Sequence, residues 1–200
     1  MIKNVVFDYG QVLCYFDEKY IVYPFVEKED RELVSKVVLD RLYWDRLDAG
    51  TISNEEAVSK MQERLPQRLW DAVEKIYYGW IDNRPEVEGM RELICYIKEK
   101  YGVKCYLLSN ISKYFAENKH RVPILSLLDG YVFSGPIGIT KPGKEIYQHL
   151  LDKFQLKGEE TIFIDDKKEN IDGALACGIG GYVFDGDAKK LKAYLETILN

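Results

Sequence analysis

The sequence is poor in the features that mark secreted, membrane-spanning or nucleic-acid-binding proteins. Its 200 residues include only 4 cysteines and 2 histidines. Cys14, Cys95, Cys105 and Cys177 are scattered with no C-x-x-C spacing. Cys95 and Cys105 fall among apolar neighbours, where a thiol behaves as a small hydrophobe, and a chain this long with this much apolar content has no need of disulfides. His120 and His149 lie far apart and share no metal-ligand spacing, so helix-surface positions are expected for both. No run of about 20 apolar residues is present to span a bilayer. No charged leader, apolar signal region or cleavage site precedes the first strand, and a reducing cytoplasm is the expected setting. There is no G-x-S-x-G elbow to support a serine hydrolase. Internal repeats and low-complexity tracts are also missing. A basic excess is absent too: the net charge is −5 and the pI near 5.3. That balance argues against nucleic acid or an anionic membrane as a partner. A small anionic substrate remains compatible, because a few local donors can outweigh a mildly acidic surface.

What is present points to a sizeable core. With 46% hydrophobic and 13% aromatic residues, the chain can form one large domain, or a core domain carrying a smaller inserted one. Val5-Val6-Phe7 is an apolar, β-branched run that ends on Asp8, then Tyr9-Gly10. It reads as a buried strand with a carboxylate at its end. Alone, the stretch is equally a turn former. From about residue 15 to 84, aromatic and charged residues recur at helical spacing. Asp17 is placed to cap a helix, a second segment covers 30–47, Ser53-Asn54-Glu55-Glu56 has the form of a capping box, and a last helix runs from 69 towards 80. The aromatics Trp44, Trp70, Tyr77, Tyr78 and Trp80 are expected in the core of this bundle.

Beyond it, helices and strands alternate. Pro85 suits the first turn of a helix, whose buried stripe is Met90, Leu93, Ile94 and Ile97. Gly102 fits the residue after its end. Strands are expected at 103–108, 130–133, 161–164 and 182–184, with loop at 136–142 and helices at 146–154, 168–177 and 191–198. Alternation of this kind predicts an α/β fold: a doubly wound, Rossmann-like parallel sheet from residues 1–14 and 85–200, with an inserted α-helical bundle cap at 15–84. Parallel strands share their carboxyl ends, so Asp8, Ser109-Asn110 and Asp165-Asp166 would gather on one sheet edge. Lys141, in the loop Thr140-Lys141-Pro142, can join them. Acids for a hard divalent cation, with a hydroxyl, an amide and a lysine for phosphate oxygens, are the equipment of phosphoryl transfer. Two other patterns fail. Residues 138–145 nearly spell a P-loop but lack its Ser or Thr, and Pro142 removes an amide. Gly178, Gly180 and Gly181 follow a helix and lead into a strand, the reverse of a dinucleotide fingerprint.

Four motifs in order, FDYGQVL, LLSN, TKP and FIDDKKENIDGA, resemble the haloacid dehalogenase superfamily over the whole chain. The resemblance implies that Asp8 is a nucleophile forming an aspartyl-phosphate. It implies magnesium held by Asp8, the Gly10 carbonyl and Asp165, with Asp166 supporting its water shell or orienting Lys141. Ser109, the Asn110 amide and Lys141 would bind phosphate, and Asn170 either bonds backbone at its turn or takes part in catalysis. The expected activity is a magnesium-dependent phosphatase of a small phosphorylated metabolite, a sugar phosphate first among the candidates. One position departs from the pattern. Phosphatases of this family usually carry a second aspartate two residues after the nucleophile as acid and base, and Gly10 stands there. A substrate with a good leaving group, a donor elsewhere (Tyr15, Asp17, Asp45 or Asp48), or a catalytically weak or inactive phosphate-binding or regulatory module would each account for the glycine. The D-x-G-x-V form is similar to a subgroup that includes a glucose 1-phosphate phosphatase and the N-terminal regions of some epoxide hydrolases. A 2-haloacid dehalogenase ranks lower, since its first motif usually has another spacing and it has little use for a metal site on Asp165.

Overall fold

The computed structural model describes residues 1–82 and 84–199. Strands form where the apolar runs were read: β1 Asn4–Phe7, β2 Lys104–Ser109, β3 Gly130–Phe133, β4 Thr161–Asp165 and β5 Gly180–Val183. All pair in parallel, in the order β3-β2-β1-β4-β5. The chain builds outward from β1 to β3, then crosses back to add β4 and β5 on the other side. That reversal opens a crevice at the carboxyl ends of β1 and β4, where α/β sheets bind their ligands. Phe7 lies opposite Ile164, so the residue after β1 emerges beside the last residue of β4.

The helices are α1 Glu18–Ile21, α2 Arg31–Val38, α3 Arg41–Asp48, α4 Asn54–Glu63, α5 Trp70–Gly79, α6 Met90–Tyr101, α7 Lys113–Asn118, α8 Ser134–Ile137, α9 Lys144–Phe154, α10 Lys168–Leu175 and α11 Ala188–Ile198. Strand alternation sends Val5, Phe7, Leu107 and Ile164 to one face, where α6 and α11 cover them with Ile94, Ile97, Leu191 and Leu195. Val6, Leu108 and Phe163 point to the other face, under Ile146 and Leu150 of α9 and Ile171 of α10. Both faces are therefore dry, which is why the strands read as continuous apolar runs. The first buried cluster continues without a break into the helical segment through Leu47, Tyr77 and Trp80. No helix among the described residues is long and apolar enough to cross a membrane.

Several local expectations shift. The segment 30–47 splits into α2 and α3 at Asp40, whose side chain accepts from the Leu42 amide and starts the second helix. Ser53 does cap α4, accepting from the Glu56 amide. Asp17 stands at the start of α1 without a side-chain capping bond, and α1 gives way to a short 3₁₀ turn at Tyr23–Phe25, around Pro24. Pro85 opens no helix. Its carbonyl accepts from the Tyr15 amide at 3.0 Å and Val87 donates to Leu13 at 2.9 Å, so residues 13–15 and 85–87 run side by side; the helix starts only after Gly89. Within 136–142, Pro136 belongs to α8 rather than loop. Cys105 is buried as expected, whereas Cys95 is exposed on α6. His120 is exposed in a 3₁₀ turn, and His149 lies half-buried on α9.

Candidate active site

Asp8 leaves β1 with its amide donating to the Ile164 carbonyl at 2.9 Å. That bond extends the β1–β4 pairing by one residue and turns the carboxylate toward Asp165. Lys141 arrives from the loop after α8 and lies 2.8 Å from Asp8 Oδ1 and 2.6 Å from Asp165 Oδ2. The lysine is 5% exposed and Asp165 fully buried, so this triad sits in a medium where charge pairs act strongly. Burial pushes the Asp8 carboxyl up, the Lys141 charge opposes this, and Asp165 adds to the rise. Burial pulls Lys141 down, but the flanking Asp8 and Asp165 outweigh it and hold the ammonium above its usual value.

Each partner is itself held. Asn110 grips the Lys141 backbone from both sides: its Nδ2 donates to the carbonyl at 2.9 Å and its Oδ1 accepts from the amide at 2.7 Å. Asn170 donates to both Asp165 oxygens at 2.9 and 3.0 Å, and the Lys167 amide donates to Oδ1 at 2.8 Å. The expectation that Asn170 bonds backbone at its turn is thus replaced by a carboxylate clamp. Ser109, last in β2 and buried, opposes the rise of the Asp8 carboxyl. Lys141 takes its orientation from Asp165 and Asp8 rather than Asp166.

Oxygen atoms of Asp8, Asp165 and half-buried Asp166 lie within 4.8 Å of one another. Asp166 is pushed up to about 6 by burial and by the charges of Asp8 and Asp165. Asp8 Oδ1 is buried and receives no well-aligned hydrogen bond despite the nearby ammonium. An all-oxygen donor set with an under-satisfied carboxylate suits a hard divalent cation. Gly10 follows in the same turn. A Cβ built on it would meet only Phe16 Cβ at 3.9 Å, so the backbone here does not demand a glycine.

Asp8, Gly10, Ser109, Asn110, Lys141 and Asp166 line one cavity of about 640 Å³, a volume suited to a small-molecule ligand, with Asp165 buried behind them. Its far wall comes from the helical segment: Trp44, Asp45 and Asp48 of α3, together with Trp80 and Arg84. Trp44 and Trp80 meet edge to face at 5.3 Å between ring centres, so these two rings serve the bundle core and the cavity wall together. Trp70 is instead partly exposed. Of the alternative proton donors, Asp45 and Asp48 reach the cavity; Tyr15 and Asp17 are not among its lining residues. Burial pushes the half-buried Asp48 up to about 7, against Arg41 and helped by Asp45 and Asp8. Asp45 pairs with Arg41 at 2.7 Å.

A family model for haloacid dehalogenase-like hydrolases matches residues 2–178. The chain belongs to this family. A sesquiterpene phosphatase of Aspergillus oryzae is 28% identical over 185 residues, which cover 90% of this chain and 88% of the relative. A D-ribitol-5-phosphate phosphatase of Bacteroides thetaiotaomicron is 27% identical, covering 86% of each. A crystal structure of a haloacid-dehalogenase-family enzyme from Bacteroides thetaiotaomicron, in complex with magnesium and inorganic phosphate, superposes with a TM-score of 0.72 at 21% identity, covering 96% of this chain and 99% of that one.

Within this hydrolase fold the end of α3 is seated by Gly50. It adopts φ +66°, and a Cβ there would lie 2.5 Å from the Gly135 carbonyl oxygen. Gly135 in turn donates to the Ile111 carbonyl, next to Ser109-Asn110. The helical segment therefore rests directly on the backbone of α8, which is itself bonded to the loop that follows β2. Gly50→Ala is expected to cost at least about 1 kcal/mol, because alanine disfavours this backbone and the contact is already closed. Urea unfolding measures it.

Proposed function

We propose that the protein is a magnesium-dependent phosphatase of a small phosphorylated metabolite, with sugar or polyol phosphates the best-suited class. The observation that carries this reading is the Lys141 bridge between Asp8 and Asp165, two acids on adjacent strand ends beside a cavity. A buried lysine flanked by two carboxylates offers a nucleophile, a phosphate-oxygen donor and a cation site within a few ångströms. The ribitol-phosphate relative supports the substrate class. In this reading residues 15–84 form a cap that encloses the leaving group, and residues 1–14 and 85–200 carry the chemistry. The protein would work in a reducing cytoplasm, consistent with four unpaired cysteines.

Asp8 attacks phosphorus, an Asp8–phosphorus bond forms and the ester P–O bond breaks. Lys141, the Ser109 hydroxyl and the Asn110 amide hold the phosphate oxygens as negative charge builds on them. Asp8, the Gly10 carbonyl and Asp165 would hold magnesium, with Asp166 beside them; when bound, the ion neutralises phosphate charge. Water then attacks the aspartyl-phosphate and frees both phosphate and Asp8.

The departing alkoxide needs a proton, and Gly10 has none to give. We assign that role to Asp48. Its carboxyl faces the cavity and, at about 7, is protonated through the lower half of the physiological range. The position two residues after Asp8 is open enough for a side chain, so the proton source has moved rather than been squeezed out.

The test is phosphate release from a panel of sugar, polyol and nucleoside monophosphates and phosphorylated acids. Multiple turnovers with magnesium, lost on chelation and restored on re-addition, are expected. A panel with no turnover in magnesium would leave a phosphate-binding module as the better reading.

A further inference from the structure

Arg84 is a charged group of the cavity that the proposed reaction does not use. The residue is 8% exposed, and its side chain lies among aromatic rings. The guanidinium carbon is 4.2 Å from the centre of Trp80 and 4.4 Å from that of Tyr9, with Phe16 and Phe115 each at 5.9 Å. Nη2 donates to the Tyr9 hydroxyl, while Nε is buried with no acceptor. The adjacent Trp80 Nε1 is likewise a buried donor without a partner.

Of the other three cationic residues lining this cavity, Lys167 is exposed to solvent and two are neutralised by protein acids. Arg41 pairs with Asp45, and Lys141 with Asp8 and Asp165. Among the described residues no carboxylate forms an ion pair with Arg84. Its polar neighbours are Tyr9 and Cys14, both kept neutral by burial. Burial pulls the guanidinium below the usual arginine value, yet arginine starts so high that it stays charged. A buried cation without a counter-ion is costly unless something supplies the opposite charge. Ring faces offset part of that cost. They leave the Nε donor unmet.

We propose that Arg84 binds a second anionic group, a carboxylate or a second phosphate, carried by the leaving group of the phosphate ester. Within the sugar and polyol phosphates, the preferred substrate is then one that carries a second anionic group, held at Asp8 by one end and at Arg84 by the other. A guanidinium suits either anion, since its planar fork matches two oxygens at once. The aromatic rings around it exclude water from that contact. The inference rests on the phosphatase reading and adds the chemistry of the far end of the substrate.

The experiment compares four esters on the wild type, Arg84→Lys and Arg84→Gln: an activated aryl phosphate, a polyol phosphate, the phosphorylated hydroxy acid of the same length, and the matching bisphosphate. Wild-type kcat/KM is expected to be roughly 10–100-fold higher for one or both doubly anionic esters than for the polyol phosphate, mainly through KM. Which of the two leads identifies the anion. Arg84→Gln should remove most of that preference, and Arg84→Lys should keep part of it. Equal losses on all four esters with a lowered melting temperature would make Arg84 a structural clamp and overturn the proposal. A wild type without preference for either doubly anionic ester overturns it too, even if the glutamine variant does not fold. If the aryl phosphate is also untouched by the wild type, the phosphatase reading itself fails and takes this inference with it.

Discussion

Asp8→Asn is expected to lower steady-state phosphate release by roughly 10⁴–10⁶-fold, the range seen when a catalytic unit loses its nucleophile or the group that supports it. Asparagine fills the same space, but its amide cannot form the mixed anhydride with phosphate. The loss should be chemical rather than structural. Lys141 keeps Asp165 at 2.6 Å, and Asn110 still grips its backbone. Burial already penalises the ionised form of Asp8, so a neutral residue there is not expected to lower the melting temperature. Phosphate release measured beside thermal unfolding separates the two causes. Residual activity within about tenfold of wild type, well above that expected loss, would remove Asp8 from the nucleophile's role.

The second large effect concerns the missing proton donor. Asp48→Asn is expected to reduce kcat on alkyl phosphates by roughly 10²–10⁴-fold, the usual contribution of a positioned acid. On an aryl phosphate, whose leaving group departs without protonation, the loss should be far smaller. The pH profile gives an independent reading. Asp48 is raised to about 7, chiefly by burial, so its proton-donating form is lost as pH rises through that value. Wild-type kcat on alkyl phosphates should fall above about pH 7, and the asparagine variant should lack that limb. The same shift affects stability. The unfolded carboxyl ionises near its ordinary 3.8 while the folded one resists until about 7; its contribution is full below the lower value and is lost as pH rises through the higher one. Adding Gly10→Asp to the Asp48→Asn variant should restore part of the rate, because a side chain at position 10 meets only the Phe16 Cβ at 3.9 Å. Equal losses on alkyl and aryl esters would exclude Asp48 as the donor.

Much of this architecture was legible in the sequence for physical reasons. The strands are buried on both faces, so each is a short apolar run, and all five lie within a residue or two of the expected positions. Parallel pairing then brings their ends together, which is why Asp8, Ser109 and Asp165 could be assembled from strand ends alone. Lys141 was legible only through its motif, since a loop lysine has no periodicity. What stayed hidden depends on where the folded backbone aims a side chain, which spacing along the sequence does not show. Asn170 reads as a local turn former, and its bonds to Asp165 appear only when α10 is folded back against β4. Arg84 comes soon after a helical stretch of mixed composition, and nothing local shows that four rings surround it without an acid. Trp44 and Trp80 were expected in a core and are, yet the same rings wall the cavity. Asp48 was one of four candidate donors, and cavity placement reduces these to two. Pro85 misled because proline suits a helix start and a strand-like crossing equally well.

The most direct measurement is peptide mapping of enzyme quenched during turnover of a polyol phosphate with magnesium. A hydroxylamine-labile phosphoryl group on the peptide carrying Asp8, absent from Asp8→Asn, is the expected result. Repeated turnover with no phosphoryl group trapped on that peptide, and with Asp8→Asn still active, would contradict a mechanism built on Asp8.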